Sequence, residues 1–237
     1  MRDNKSLLLC VCALCLGAKV QAQGTFQNLG FESATLVPIP GDPYARVQFA
    51  AALPGWTCSI GGVQQTAALY DNFFLDSSGV GVIDQGWSYP FGGVIQGNYT
   101  AMLQAGWALG TFNPADTTLS QTGAVPGNAQ SLQFRVSLDP SSAAFGVSLG
   151  GQSLTIVPLG TGVNYTLYGA DIHSWAGQNA ELDFTVFAQR PHVDNYTVFL
   201  DSIQFSNQSV PEPSVFRLSI LGALLAALGL SRRRRRL

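Results

Sequence analysis

The sequence predicts an all-β protein, a β-sandwich or barrel flanked by an N-terminal signal helix and a short C-terminal membrane helix. Three observations carry the prediction. Short runs alternate between apolar and polar residues, as where Leu132, Phe134, Val136 and Leu138 enclose Gln133, Arg135 and Ser137. The chain has 26 glycines and 12 prolines, which punctuate it at the short intervals expected of many strands and turns. No stretch between Gln23 and Ser209 sustains the apolar period of an amphipathic helix.

The first element is the signal helix. Met1-Arg2-Asp3-Asn4-Lys5 is a basic start, Leu7 to Ala18 an apolar core, and Val20 and Ala22 are the small residues that precede a cut. Residues 1–22 are therefore expected to be a secretory signal peptide, handled by the Sec export machinery and signal peptidase. Residues 23–209 form the sandwich. In it, Phe145, Val147 and Leu149 alternate into Gly150-Gly151, and Leu154 and Ile156 alternate out again. This is a hairpin whose glycines supply the positive φ of the turn. Leu182, Phe184 and Val186 form one face of another strand, with Asp183 and Thr185 on the opposite face. In the last strand Val198 and Leu200 share a face, but Ile203 and Phe205 follow out of phase. A bulge is expected at Asp201-Ser202, which re-aims Asp201.

The last element, residues 210–237, begins Val210-Pro211-Glu212-Pro213. Two prolines within three residues forbid helix or central strand and make a stiff, accessible hinge. Leu218 to Leu230 is an unbroken apolar run of 13 residues, about 20 Å of helix against about 30 Å of hydrocarbon. Arg232, Arg233, Arg234, Arg235 and Arg236 follow and are expected to stay on the cytoplasmic side. A span this short suits transient retention better than permanent anchoring.

Proline-glutamate-proline, a short apolar helix and a terminal arginine cluster together resemble the PEP-CTERM sorting signal of exported bacterial proteins. The resemblance implies recognition and removal of the tail by an exosortase-like enzyme. It also implies a precursor held in the inner membrane of a Gram-negative-type bacterium, and a product at the cell surface or outside it. A second resemblance spans the body of the chain. Asn28-Leu29-Gly30-Phe31-Glu32, Leu53-Pro54-Gly55-Trp56-Thr57 and Leu200-Asp201-Ser202-Ile203 are similar, in that order, to segments of the galactose-binding-like jelly rolls, which include several carbohydrate-binding modules. That family implies a single jelly-roll β-sandwich and a structural Ca²⁺, with Glu32 and Asp201 as side-chain ligands and backbone carbonyls near Asn28 and Gly30 completing the oxygen shell. Ser202 departs from the pattern, because many relatives carry a second aspartate there.

Composition excludes one class of partner. Between Gln23 and Ser209 the basic side chains are Arg46, Arg135 and Arg190 against twelve acids, a formal charge of −9. Such a surface repels phosphates, so nucleic acid is not expected. Cys58 is the one cysteine left after signal removal, and is expected to be a small buried residue.

Residue chemistry for catalysis is thin. His173 and His192 are the two available bases, no Gly-x-Ser-x-Gly elbow occurs, and Asp171-His173 reads as a hydrogen-bonded loop pair. Glu32, Asp71, Asp76, Asp84, Glu181 and Asp183 supply carboxyls for glycoside chemistry, but spacing selects no pair among them. Sugar binding asks for aromatic platforms beside amides and carboxylates, and Trp87, Tyr89, Trp107 and Trp175 are the candidates. The segment from Asp84 to Phe91 reads either as a binding loop or as an apolar plug over one end of the sandwich. The expectation is an exported, non-catalytic polysaccharide-binding protein. A structural matrix protein without a ligand site is the alternative, and a glycoside-active enzyme the third.

Overall fold

Four of the alternating runs form strands in the computed structural model, which describes residues 24–138, 144–188 and 196–210. The expected signal peptide and the tail from Pro211 onward lie outside the described residues. In chain order the strands are β1 (Val47–Gln48), β2 (Thr57–Ile60), β3 (Val63–Gln64), β4 (Ala67–Tyr70), β5 (Gly79–Ile83), β6 (Thr100–Trp107), β7 (Pro114–Ala115) and β8 (Thr117–Ala124). They continue with β9 (Ser131–Leu138), β10 (Ala144–Leu149), β11 (Gln152–Ser153), β12 (Val157–Thr161), β13 (Thr166–Asp171), β14 (Asn179–Phe187) and β15 (Tyr196–Ser206). Helix among the described residues is confined to one turn at Phe49–Ala52 and a 3₁₀ turn at His173–Trp175.

The strands make two sheets. The larger runs β1-β4-β5-β6-β15-β9-β13-β12, with β7 paired to β6, and the smaller runs β11-β10-β14-β8-β2-β3. All the pairings are antiparallel except β4 with β5. The predicted hairpin joins β10 to β11 through Gly150 and Gly151, at φ of +59° and +76°. Positive φ at both central residues is the twist-matched turn that favours glycine. The return run pairs over only two residues, after which Leu154 packs against the core.

The two sheets face each other across the apolar sides of their strands. Leu132, Phe134 and Val136 of the larger sheet meet Leu182, Phe184 and Val186 of the smaller, all at most 1% exposed. Phe134 and Phe184 meet edge to face with ring centroids 5.2 Å apart, a preferred aromatic geometry. Trp56 closes on Phe184 at 6.2 Å and on Phe31 at 5.6 Å, and Cys58 is buried nearby in the same core. Burial pushes the Cys58 thiol up to about 12, so it is inert as a nucleophile at neutral pH.

The larger sheet is also covered on its outer face. Leu69, Gly81, Met102 and Phe199 lie in register across β4, β5, β6 and β15. Over this row fold Phe73, Phe74, Trp87, Phe91, Val94 and Ile95. The segment from Asp84 to Phe91 is thus a cover on the outer face of the sheet, not a plug at the end of the sandwich. Close approach decides its path: a Cβ on Gly92, at φ +70°, would lie 2.1 Å from the Phe199 ring. Polar staples fix the cover as well. Gln104, fully buried, accepts from the Phe74 N–H at 3.0 Å, and the Thr100 hydroxyl oxygen accepts from the Ile95 N–H at 3.0 Å.

Candidate functional site

The bulge predicted at Asp201-Ser202 is present. Asp201 pairs with Arg135 and Gln204 with Gln133, so two residues of β15 oppose Phe134 alone, and Ser202 takes a φ of +51°. Ile203 turns its N–H out of the ladder onto the Leu29 carbonyl at 2.9 Å. That bond brings the N-terminal segment against the bulge. The Trp56 indole N–H donates to the Asn28 carbonyl at 3.1 Å, and the Asn28 amide donates to the Pro54 carbonyl at 3.3 Å. The three short motifs, 28–32, 53–57 and 200–203, therefore meet at one place.

Both acids of that place are turned onto the segment 96–100. Asp201, 1% exposed, accepts from the Gln96 N–H at 3.0 Å, the Thr100 hydroxyl at 2.7 Å and the Ser202 N–H at 2.5 Å. Glu32 accepts from the Asn98 N–H and the Asn98 side-chain amide, each at 3.0 Å, and from the Tyr99 N–H at 3.2 Å. Gly97 stands between at φ +68°, where a Cβ would lie 2.2 Å from Glu32 Oε1. The two carboxylates are clamps that hold one loop to the sheet.

This arrangement does not suit the calcium that the family resemblance implies. Ca²⁺ takes six to eight oxygens, whereas these carboxylate oxygens accept N–H and O–H groups. Of the backbone carbonyls that the resemblance implies, that of Asn28 already accepts from both the Trp56 indole N–H and the Phe31 N–H. Among the described residues no group of three or more His, Cys, Asp or Glu side chains converges. Glu32 and Asp201 are close in the fold, as expected, but as loop clamps.

Beside the clamps opens a cleft of about 470 Å³ on the outer face of the larger sheet. Its floor carries Arg135, Leu167 and Gln204, and its rim carries Gln96, Gly97 and Ser202. The side chains cross-link: Gln96 Oε1 accepts from Arg135 Nη1 and from the Ser202 hydroxyl at 2.7 Å, and the Gln204 amide donates to Gln133 at 2.9 Å. The Arg135 guanidinium lies 4.9 Å from the Tyr165 ring centroid. Asn164 ties the neighbouring turn to the rim by donating to the Val94 carbonyl at 3.0 Å.

The sequence-selected aromatics occupy three separate places. Trp87 and Tyr89 lie in the cover, with centroids 4.7 Å apart, and the Trp87 indole N–H is spent on the Phe91 carbonyl at 2.8 Å. Trp107 ends β6 with its ring edge-on to Phe112 at 6.1 Å. Trp175 sits in the 3₁₀ turn beside Gly150. Arg135, Gln96, Ser202 and Gln204 were missed as site residues. The available signal was the outward phase of Gln133 and Arg135 on β9, together with the bulge at Asp201.

The candidate acids for glycoside chemistry are also placed. The parallel pairing of β4 and β5 sets Asp71 and Asp84 side by side just past the strand ends, and the Asp84 N–H donates to Asp71 at 2.9 Å. The Tyr70 hydroxyl donates to Asp84 at 2.6 Å. Burial raises Asp71 to about 6, while the Tyr70 hydroxyl lowers Asp84. The two acids are thus tied to one another and to Tyr70 at the end of the β4–β5 pairing. His173 and Asp171 form an exposed pair at 2.8 Å, as expected of a loop histidine.

Burial likewise pushes Asp201 up to about 6. Between about pH 4 and pH 6 the folded chain keeps a proton that the unfolded chain has released, so stability falls as pH rises through that window. Asp71 acts in the same sense. Asp42, held near 2 by Arg46, acts oppositely: its contribution is present above about pH 4 and lost toward pH 2. The melting temperature is therefore expected to be higher at pH 5 than at pH 7.5, with Asp201→Asn flattening the difference. Equal wild-type melts at the two pH values would show that Asp201 ionises as easily folded as unfolded.

No family model matches the sequence, and no curated protein matches it. Among solved structures, similarity is found to TmCBM61 in complex with β-1,4-galactotriose, at 12% identity and a TM-score of 0.43. That match covers 79% of this chain and all of the other. A structure from work on carbohydrate-binding modules of the β-sandwich superfamily gives 13% identity and a TM-score of 0.34, and the match spans 62% of its length. The enzymatically active domain of bacteriophage CBA120 tailspike protein 4 gives 15% identity and a TM-score of 0.36, over 19% of its length. None of these similarities assigns an activity to this chain.

Proposed function

We propose that the sandwich binds polysaccharide without catalysis, through the cleft beside the Glu32 and Asp201 clamps. The observation that carries this reading is the cleft itself: 470 Å³ on the sheet face, lined by the polar side chains of Gln96, Arg135, Ser202 and Gln204 together with the hydrogen-bonded carboxylates of Glu32 and Asp201. The volume falls within the usual range for small-ligand sites. Planar amide and guanidinium groups suit the adjacent hydroxyls of a sugar, and Leu167 offers an apolar contact for its C–H face. The clamps support the reading, because a hydrogen-bonded loop keeps the rim preorganised and lowers the ordering cost of binding. Titration against a panel of polysaccharides and oligosaccharides, with β-1,4-galactotriose among them, tests the proposal. Binding that is lost in Gln204→Ala but retained in Trp107→Ala supports the cleft. No binding to any member sinks the reading.

Export is part of the same proposal. Residues 1–22 act as the signal peptide, and Pro211-Glu212-Pro213 with the apolar run and Arg232 to Arg236 acts as an exosortase-like sorting tail. The motifs at the two ends of the chain support this. Mass spectrometry of the protein recovered from its native host is expected to show a start at Gln23 and an end near Pro211 to Ser214. An intact arginine tail on surface material would make the segment an ordinary anchor.

A further inference from the structure

Two arginines lie among the described residues, and they are used differently. Arg46 is closed onto Asp42, with Nη2 2.7 Å and Nε 3.0 Å from one carboxylate oxygen. Arg135 has no carboxylate within ion-pair distance among the described residues. Of its five N–H donors, one is placed on Gln96 Oε1, and no other hydrogen bond joins the guanidinium to a described residue. Its guanidinium carbon lies over the Tyr165 ring, 4.9 Å from the centroid.

Among the described residues, the two acids that line the same cleft, Asp201 and Glu32, are not ion-paired with it. Asp201 is its strand partner in register, yet the bulge turns that carboxylate onto Gln96, Thr100 and Ser202. Glu32 is turned onto Asn98 and Tyr99. In a domain with twelve acids and three basic side chains, a cation in a cleft with spare donors is a recognition element. A guanidinium edge matches a planar carboxylate in two parallel hydrogen bonds, whereas a neutral hydroxyl uses only part of it.

We propose that the cleft selects an acidic saccharide, a chain carrying uronate carboxylates, with Arg135 receiving the carboxylate. The inference rests on the saccharide-binding reading above and adds the charge of the ligand. Tyr165 and Gln96 hold the guanidinium in place before the sugar arrives, so little side-chain freedom is lost on binding.

The test is calorimetric titration of the purified protein at low salt. The probes are trigalacturonate, trimannuronate and triglucuronate, each paired with its fully methyl-esterified form, with β-1,4-galactotriose as a neutral control. At least one acidic trimer is expected to bind about 10- to 100-fold more tightly than its ester, the scale of a hydrogen-bonded charge pair. Added salt weakens the acid but not the ester. Arg135→Gln is expected to abolish the preference, so that acid and ester bind equally tightly, while the melting temperature holds. Esters or galactotriose binding as tightly as every acid would overturn the acidic selection and leave saccharide binding standing. A preference for the acid that survives in Arg135→Gln would overturn it too, by showing that another group receives the carboxylate. No binding by any probe, acidic or neutral, fails the saccharide reading itself.

Discussion

Phe184→Ala is expected to lower the unfolding free energy by about 4 kcal/mol, the scale of deleting a buried phenylalanine ring. Phe184 is fully buried in the smaller sheet and touches both sides of the core: Phe134 at 5.2 Å, Trp56 at 6.2 Å and Phe145 at 6.2 Å. Four rings meet there, so removing the central one opens a cavity that rigid neighbours cannot fill. Phe184→Leu retains most of the volume and should cost only about 1 kcal/mol. Urea denaturation with an unchanged m-value checks both variants. A loss under about 2 kcal/mol for the alanine would mean that the two sheets re-close around the gap.

The second large effect is Asp201→Ala, at about 3 kcal/mol. Here the loss is polar. The change strands the Gln96 and Ser202 N–H groups and the Thr100 hydroxyl, all of which donate to this one buried carboxylate. A buried donor without an acceptor costs its full desolvation, which is why the alanine should be worse than Asp201→Asn, whose amide oxygen still accepts. Glu32→Ala, on the exposed side of the same loop, is expected to cost about 1 kcal/mol or less. If it cost as much as Asp201→Ala, the loop would be held from the N-terminal side and not by the bulge.

Much of the sandwich was legible before any coordinates. The alternation around Phe134 and Phe184 became two facing strands, Gly150-Gly151 became a tight turn with both φ positive, and the phase slip at Asp201-Ser202 became a bulge. The segment from Asp84 to Phe91 was legible only in composition. Its aromatics marked a binding loop or a plug at one end of the sandwich, and its seat on Phe199 and Met102 was hidden. Phe199 shows the reason. On a half-buried strand it belongs to the solvent side, opposite Val198 and Leu200, yet it is fully buried because a loop from elsewhere folds over it.

The candidate site was legible by halves. Glu32 and Asp201 were singled out and do share a locality, but nothing in their spacing revealed that they bind N–H groups. Arg135 read only as the polar side of a strand. Its cleft exists because β15 lies beside β9 and because the 96–100 loop is drawn down on their flank.

The sequence by itself determined four of the fifteen strands, their alternating faces, the glycine turn and the bulge, because each depends on neighbours two to four residues away. Only the tertiary structure decided which outer face is covered, where the cleft opens and which arginine has no carboxylate partner among the described residues. The contacts that make the site, Glu32 to Asn98 and Asp201 to Gln96, join residues 66 and 105 positions apart. A side-chain period two residues long orients each strand, but it contains no term for which distant strand or loop will lie beside it.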